Sequence, residues 1–156
     1  MRAVQIPWIT AGTGKSHVLV ALGAAAVSAG HKVRYFTAAE LTETLYRGLA
    51  DNSVGKVIDT LLRNDLIIID EVGFAPLDDT GTQLLFRVVA AAYERRALGI
   101  ASHWPFESWG RFLPEHTTAA SLLDRLLHHA SVVVTNGDSY RMREARAKGG
   151  TTLNKT

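Results

Sequence analysis

Cysteine is absent from the 156-residue chain. That excludes disulfide staples, thiolate metal sites and cysteine nucleophiles. No apolar run approaches the roughly 20 residues a membrane-spanning helix needs, and the start carries no signal-peptide pattern. A cytoplasmic location without a membrane partner is the resulting expectation. An excess of one charge is also missing, since 17 Lys and Arg stand against 15 Asp and Glu. The small imbalance is local: Arg141, Arg143, Arg146, Lys148 and Lys155 face the single acid Glu144 near the end of the chain. Such a tail can neutralise phosphates and lend salt-sensitive, sequence-blind affinity for nucleic acid. The stretch Lys148-Gly149-Gly150-Thr151-Thr152 favours a frayed, solvated terminus instead. The expected division is therefore a core over residues 1–143 and a basic, disordered tail over 144–156. Apolar and charged fractions are those of an ordinary globular domain, and the length suits one continuous core.

What is present alternates strand and helix. Residues 4–9 read as a first strand, although Pro7 removes one ladder hydrogen bond. Residues 15–29 are helical and so evenly rich in Val, Leu and Ala that burial on nearly every face is expected. Gly30 stands where a helix C-terminus favours glycine. A second strand over 33–36 leads to Thr37-Ala38-Ala39-Glu40, a capping box that opens another helix. A helix around 54–63 precedes Leu66-Ile67-Ile68-Ile69, an unbroken aliphatic run suited to a central parallel strand covered on both faces. A loop marked by Gly73, Pro76, Asp78 and Asp79 follows. Then come a helix over 82–96, a strand over 98–102 and the loop His103-Trp104-Pro105. The helix over 119–128 places Leu122, Leu123, Leu126 and Leu127 inward and Ser121, Asp124, Arg125 and His128 outward. A last strand is expected over 131–135. This alternation predicts a parallel, doubly wound α/β sheet.

Two segments carry chemistry. Gly12-Thr13-Gly14-Lys15-Ser16 opens a helix, and Asp70-Glu71 closes the aliphatic strand. Glycines and the positive end of a helix let backbone N–H groups turn inward around phosphates. Lys15 would bridge the outer phosphates and the Ser16 hydroxyl would ligate Mg²⁺. In a parallel sheet, ligands sit outside the carboxyl ends of the strands, where both segments fall. Asp70 would hold the metal and Glu71 could polarise an attacking water. Alone, the first segment is a Gly-rich turn and the second a solvated strand end. Together, in order and in context, they describe a site for a nucleoside triphosphate and its Mg²⁺. One position departs: the phosphate-loop pattern asks for glycine at position 9, and the chain has Ile9.

From about Ala11 to Arg143 the chain resembles the IstB-like ATP-binding proteins of insertion sequences, relatives of DnaC-type helicase loaders among the AAA+ ATPases. The resemblance rests on Gly12-Thr13-Gly14-Lys15-Ser16-His17, Leu66 to Glu71 with Gly73 and Pro76-Leu77, and Pro105 to Gly110. It continues through Leu122-Leu123-Asp124-Arg125-Leu126-Leu127-His128-His129 and Gly137-Asp138-Ser139-Tyr140-Arg141. It implies a P-loop NTPase three-layer sandwich of AAA+ type with a central, mostly parallel five-stranded sheet. It further implies an ATP-dependent helper of DNA transposition that forms homo-oligomers with ATP, assembles on double-stranded DNA and recruits or regulates a transposase. By position, residues 12–17 bind the nucleotide, Ser16 and Asp70 hold the metal, and Glu71 activates water. Arg125 resembles an arginine finger reaching a neighbouring subunit, and Arg141 a second sensor within its own.

Three features set the chain apart from that family. Ile9-Thr10-Ala11 replace Gly and two loop residues. His103 stands where the family has the Asn of the first sensor, which makes it a catalytic candidate with altered chemistry. The family also carries an N-terminal helical region before the first strand, which is expected to be missing here. ATP hydrolysis is accordingly expected to be impaired by Ile9 and His103. The rival readings are a truncated remnant that does not hydrolyse ATP and a DnaC-like replicative helicase loader. His128 and His129 invite a metal reading, opposed by the rule that adjacent helical residues do not face one another. For Trp104, Phe106 and Trp109, packing on the sheet edge is expected over stacking on bases.

Overall fold

The structure, a computed structural model, describes residues 14–114 and 116–133. The elements run in the order α1 (Lys15–Ser28), β1 (Val33–Thr37), α2 (Ala38–Ala50), α3 (Val54–Leu61), β2 (Leu66–Val72), α4 (Asp79–Ala92), β3 (Ala97–Ser102), a 3-10 turn (Phe106–Arg111) and α5 (His116–His128). β2 lies between β1 and β3 and pairs parallel with both. Alternate residues of β2 serve opposite cores. Ile67 and Ile69 join the larger cluster with α2, α3, α4 and α5, while Leu66 and Ile68 pack with Leu19 of α1. Helices thus cover both faces, which is why the strand needs no polar alternation.

Local chemistry sets the boundaries. The Thr37 hydroxyl accepts from the Glu40 N–H (3.2 Å) and the Thr37 N–H donates to Glu40 Oε2 (2.9 Å), closing the expected capping box. α1 ends with the Gly30 N–H donating to Val27 O and the His31 N–H to Ala26 O. Gly30 sits at φ +87°, so the helix closes in a Schellman motif.

Several expectations need correcting. Three strands, not five, form the sheet among the described residues. The expected first strand, 4–9, lies outside those residues. Of the expected last strand, 131–133 make no ladder and 134–135 lie outside. α1 is not buried all round: Leu19, Gly23 and Ala26 face the sheet, while Val18, Val20 and Val27 are exposed. Ala21, Ala24 and Ala25 on the exposed side still hold the helix, because alanine favours helix without burial. α4 begins at Asp79 rather than 82, because the Asp78 carboxylate accepts from the Gly81 N–H (2.7 Å). It ends at Ala92 rather than 96, since Tyr93 turns extended and Glu94 adopts φ +56°. In α5, Leu122 and Leu126 are buried as expected, but Leu127 is exposed and Arg125 is half-buried. Three-residue spacing from Leu122 brings Arg125 to the rim of the buried stripe.

Candidate functional site at the carboxyl edge of the sheet

The edge is built by β2. Its register with β3 breaks between Ile69 and Val72, and Glu71 takes a left-handed backbone at φ +58°. A non-glycine residue there stores about 1–3 kcal/mol of strain, which the flanking ladder must hold in place. The effect is to separate two adjacent carboxylates. Asp70 is 3% exposed, whereas Glu71 faces solvent.

The Asp70 carboxylate is held on both oxygens. Oδ1 accepts from the Glu71 N–H (2.7 Å), and Oδ2 accepts from the Tyr35 hydroxyl (2.7 Å). Tyr35 is a site residue that motif spacing does not reveal. The usable signal is positional: Tyr35 lies opposite Ile68 and Thr37 opposite Asp70, so side chains two apart share a face across the ladder. Burial raises the Tyr35 pKa above its ordinary value, and its hydrogen bond to Asp70 adds to the shift. The charges of Asp70, Glu71 and Glu40 act in the same direction.

Lys15 enters from the first turn of α1, 9% exposed. Burial lowers its pKa below the usual lysine value, and the negative charge of Asp70 opposes that. Gly14, at φ +86°, caps α1 without a side-chain acceptor, unlike Thr37 before α2 and Asp78 before α4. A helix start with glycine at its N-cap and a buried lysine in its first turn has the character of an anion cradle. Ser16 follows, half-buried, and His17 is exposed.

His103 completes the group. Its backbone N–H donates to Val72 O (3.0 Å), tying the end of β3 to the end of β2. Its ring lies 5.6 Å from that of Phe74. Burial lowers its pKa first and the Lys15 charge lowers it further, against the opposing pull of Glu71 and Asp70. Lys15, Asp70, Glu71 and His103 therefore share one electrostatic environment at one edge of the sheet.

The loop after His103 is packed. Trp104 Nε1–H donates to Gly73 O (2.9 Å), and Trp109 Nε1–H donates to Trp104 O (3.1 Å). Gly73, at φ +81°, admits Trp104 so closely that a Cβ there would lie 2.6 Å from Trp104 Cδ1. Trp109 is buried in the core and Arg111 covers the Trp104 ring. These aromatics support the edge, as the packing reading expects.

Arg125 lies away from this edge. The contacts described for Arg125 are with its own helix and α4: its guanidinium lies 4.9 Å from the Phe86 ring centroid, and Nη1 donates to Ser121 O. Ile9, Gly12, Thr13 and Arg141 lie outside the described residues.

Residues 8–148 match the family described as IstB-like ATP binding protein. The chain is 35% identical over 145 residues to a Pseudomonas aeruginosa protein named as the ATP-binding protein of insertion sequence IS21, covering 93% of this chain and 55% of that one. It is 34% identical to a Geobacillus stearothermophilus counterpart named for IS5376, covering 86% and 54%. The chain thus spans about half the length of these curated relatives. Among solved structures, the DnaC helicase loader superposes with TM-score 0.68 at 17% identity, covering 86% of this chain and 78% of that one. AMPPCP-bound DnaA from Aquifex aeolicus gives 0.69 at 19% identity, covering 99% and 48%. At such identities the likeness establishes the α/β P-loop NTPase fold of AAA+ type and no more. Among the described residues, no helix is long and apolar enough to cross a membrane.

Proposed function

The chain belongs to the IstB-like ATP-binding proteins, and on that premise we propose that its sheet edge binds ATP with Mg²⁺ in the service of DNA transposition. The observation that carries the reading is the burial of Lys15 within the field of Asp70, beside the glycine-capped start of α1. A buried ammonium and an anion-seeking helix end together suit a polyphosphate better than an ordinary surface does. The Lys15 ammonium and the N–H groups from Gly14 onward would grip the outer phosphates, with Gly12 and Thr13 completing the loop. Ser16 and Asp70 would hold Mg²⁺, which when bound neutralises charge on the phosphate oxygens. Asp70 fits a cation: it is a buried carboxylate whose two described hydrogen bonds come from neutral donors.

Glu71, exposed beside it, would orient water for attack on the γ-phosphate. His103, kept neutral by burial and by Lys15, would offer a single ring N–H toward that water, much as an Asn amide would. Arg125 would serve a neighbouring subunit in an ATP-bound homo-oligomer, and Arg141 its own. Residues 1–143 would form the ATPase core, and the basic residues of 144–156 would add contacts to DNA phosphates. The assembly on double-stranded DNA would recruit the transposase of the same insertion sequence in the cytoplasm.

The test separates binding from turnover. Saturable binding of a fluorescent ATP analogue should be lost in Lys15→Ala. It should persist in Glu71→Gln while phosphate release falls by roughly 10²-fold or more. Absence of saturable binding in the unmodified chain would overturn the ATP reading. ATP-dependent light scattering on duplex DNA, abolished by Arg125→Ala, tests the assembly. A second reading, binding without turnover in a decayed helper, is favoured by the imidazole of His103 in place of an amide. Turnover that appears only after Ile9→Gly and His103→Asn would establish it. A helicase-loader role differs only in its partner, and capture of a replicative helicase rather than a transposase would mark it.

A further inference from the structure

We propose that Glu94, His128 and His129 form a binding site for a borderline transition-metal cation such as Zn²⁺, fastening the exit of α4 to the end of α5. One donor atom from each residue lies within 4.8 Å of the others. His129 Nε2 and Glu94 Oε1 are 3.4 Å apart. Ligands about 2.0–2.2 Å from a tetrahedral ion are themselves separated by about 3.4 Å, so this pair needs little adjustment. The two imidazoles have ring centroids only 4.2 Å apart.

Adjacent residues meet here because the helix stops between them. His128 is the last residue of α5, and His129 already lies in the turn closed by the Ala130 N–H on Leu127 O. The angular separation of neighbouring helical side chains no longer applies beyond that point. Tyr93 then orders the rings. Its hydroxyl is hydrogen-bonded to His128 Nδ1, and its ring stacks against both imidazoles at interplanar angles of 18° and 19°. A hydrogen-bonded partner of this kind fixes the orientation of a ligating imidazole.

The backbone contributes as well. Glu94 holds a left-handed conformation, φ +56°, two residues after α4 ends. Both α4 and α5 end here, and the negative end of each helix dipole favours a cation. Two imidazoles and one carboxylate select Zn²⁺, Ni²⁺ or Cu²⁺ over Mg²⁺, which prefers oxygen donors and keeps its waters. All three side chains are exposed, so an ion can enter from solvent. α5 also carries Arg125, so a bound ion would immobilise the segment bearing that residue. The proposal does not depend on the ATP reading.

The test uses the full chain stripped with chelator and held in excess Mg²⁺, which occupies oxygen-donor sites. Calorimetric titration with ZnCl₂ should show a single saturable event, accompanied by a rise in melting temperature. Glu94→Gln, His128→Asn and His129→Asn should each weaken it at least about tenfold, and Tyr93→Phe by a smaller factor. Because Glu94, His128 and His129 are exposed, the metal-free melting temperatures of their variants should match that of the parent, which excludes misfolding as the cause. His31→Asn, at an exposed histidine away from both sites, should leave Zn²⁺ affinity unchanged. No saturable Zn²⁺ binding, or equal affinity in the His128→Asn/His129→Asn double variant, would overturn the proposal.

Discussion

The carboxyl edge of the sheet and the shared end of α4 and α5 both gather titratable groups, but under opposite conditions. At the edge, Lys15 and Asp70 are buried, and each Asp70 oxygen already accepts one hydrogen bond, from the Tyr35 hydroxyl or the Glu71 N–H. At the helix ends, Glu94, His128 and His129 lie in water, and Arg125 rests half-buried on Phe86. Burying charge costs several kcal/mol unless partners are already in place, so the edge has to be organised before any ligand arrives. An exposed cluster pays no such cost and gains order only when something binds. The first arrangement suits a site whose geometry must be ready in advance. The second suits contacts made late, to an ion or a neighbouring subunit.

The largest expected effect tests the preorganised side. Lys15→Ala should weaken ATP binding by roughly 10²–10³-fold, the range for truncating one partner of a buried charge contact, as read by calorimetric titration. Affinity within a few-fold of the parent would place the phosphates elsewhere. Tyr35→Phe removes a neutral donor from Asp70 and should cost about 1 kcal/mol of stability in urea denaturation. An unchanged midpoint would show that water replaces the phenol and that the edge is less closed than its packing implies. Arg125→Ala should cost less, about 0.5–1 kcal/mol for a partly exposed cation–ring contact, and leave single-chain ATP affinity intact. A large fall in that affinity would merge the two regions that the contacts keep apart.

The smallest effect concerns pH. The folded-state pKa of His103 is lowered, so the unfolded chain binds the proton more readily. The resulting contribution to stability is present above the unfolded histidine pKa and is lost as pH falls through the folded value. His103→Asn should therefore flatten the decline of melting temperature on the acid side of neutrality. An identical pH profile in parent and variant would show that neither burial nor Lys15 shifts the titration of His103.

Much of this was legible beforehand for identifiable reasons. Unbroken aliphatics in 66–69 fit a strand covered on both faces, and β2 is that strand. Thr37 with Glu40, and Gly30 after the first helix, mark helix ends through local hydrogen bonds that need no tertiary context. The limits of α4 were less legible, because Asp78 as a cap and Tyr93 as a terminus compete with an equally good apolar period. Burial of α1 was overestimated, since composition does not say how many faces neighbouring elements will cover. At the site, the roles expected of Lys15, Ser16, Asp70 and Glu71 came from spacing and resemblance. The part played by Tyr35 came from neither.

By itself, the sequence determined the family, the alternation of elements and the residue types able to meet a phosphate chain. Those properties are carried by local periodicity and short motifs, which are one-dimensional. Only the tertiary structure decided which groups share a field. Strand register brought Tyr35 of β1 against Asp70, and the break after Ile69 turned Glu71 outward. The end of α5 set His128 and His129 side by side over Glu94. Electrostatics and hydrogen bonding depend on distances of a few ångströms between residues far apart in the chain, and packing alone sets those distances.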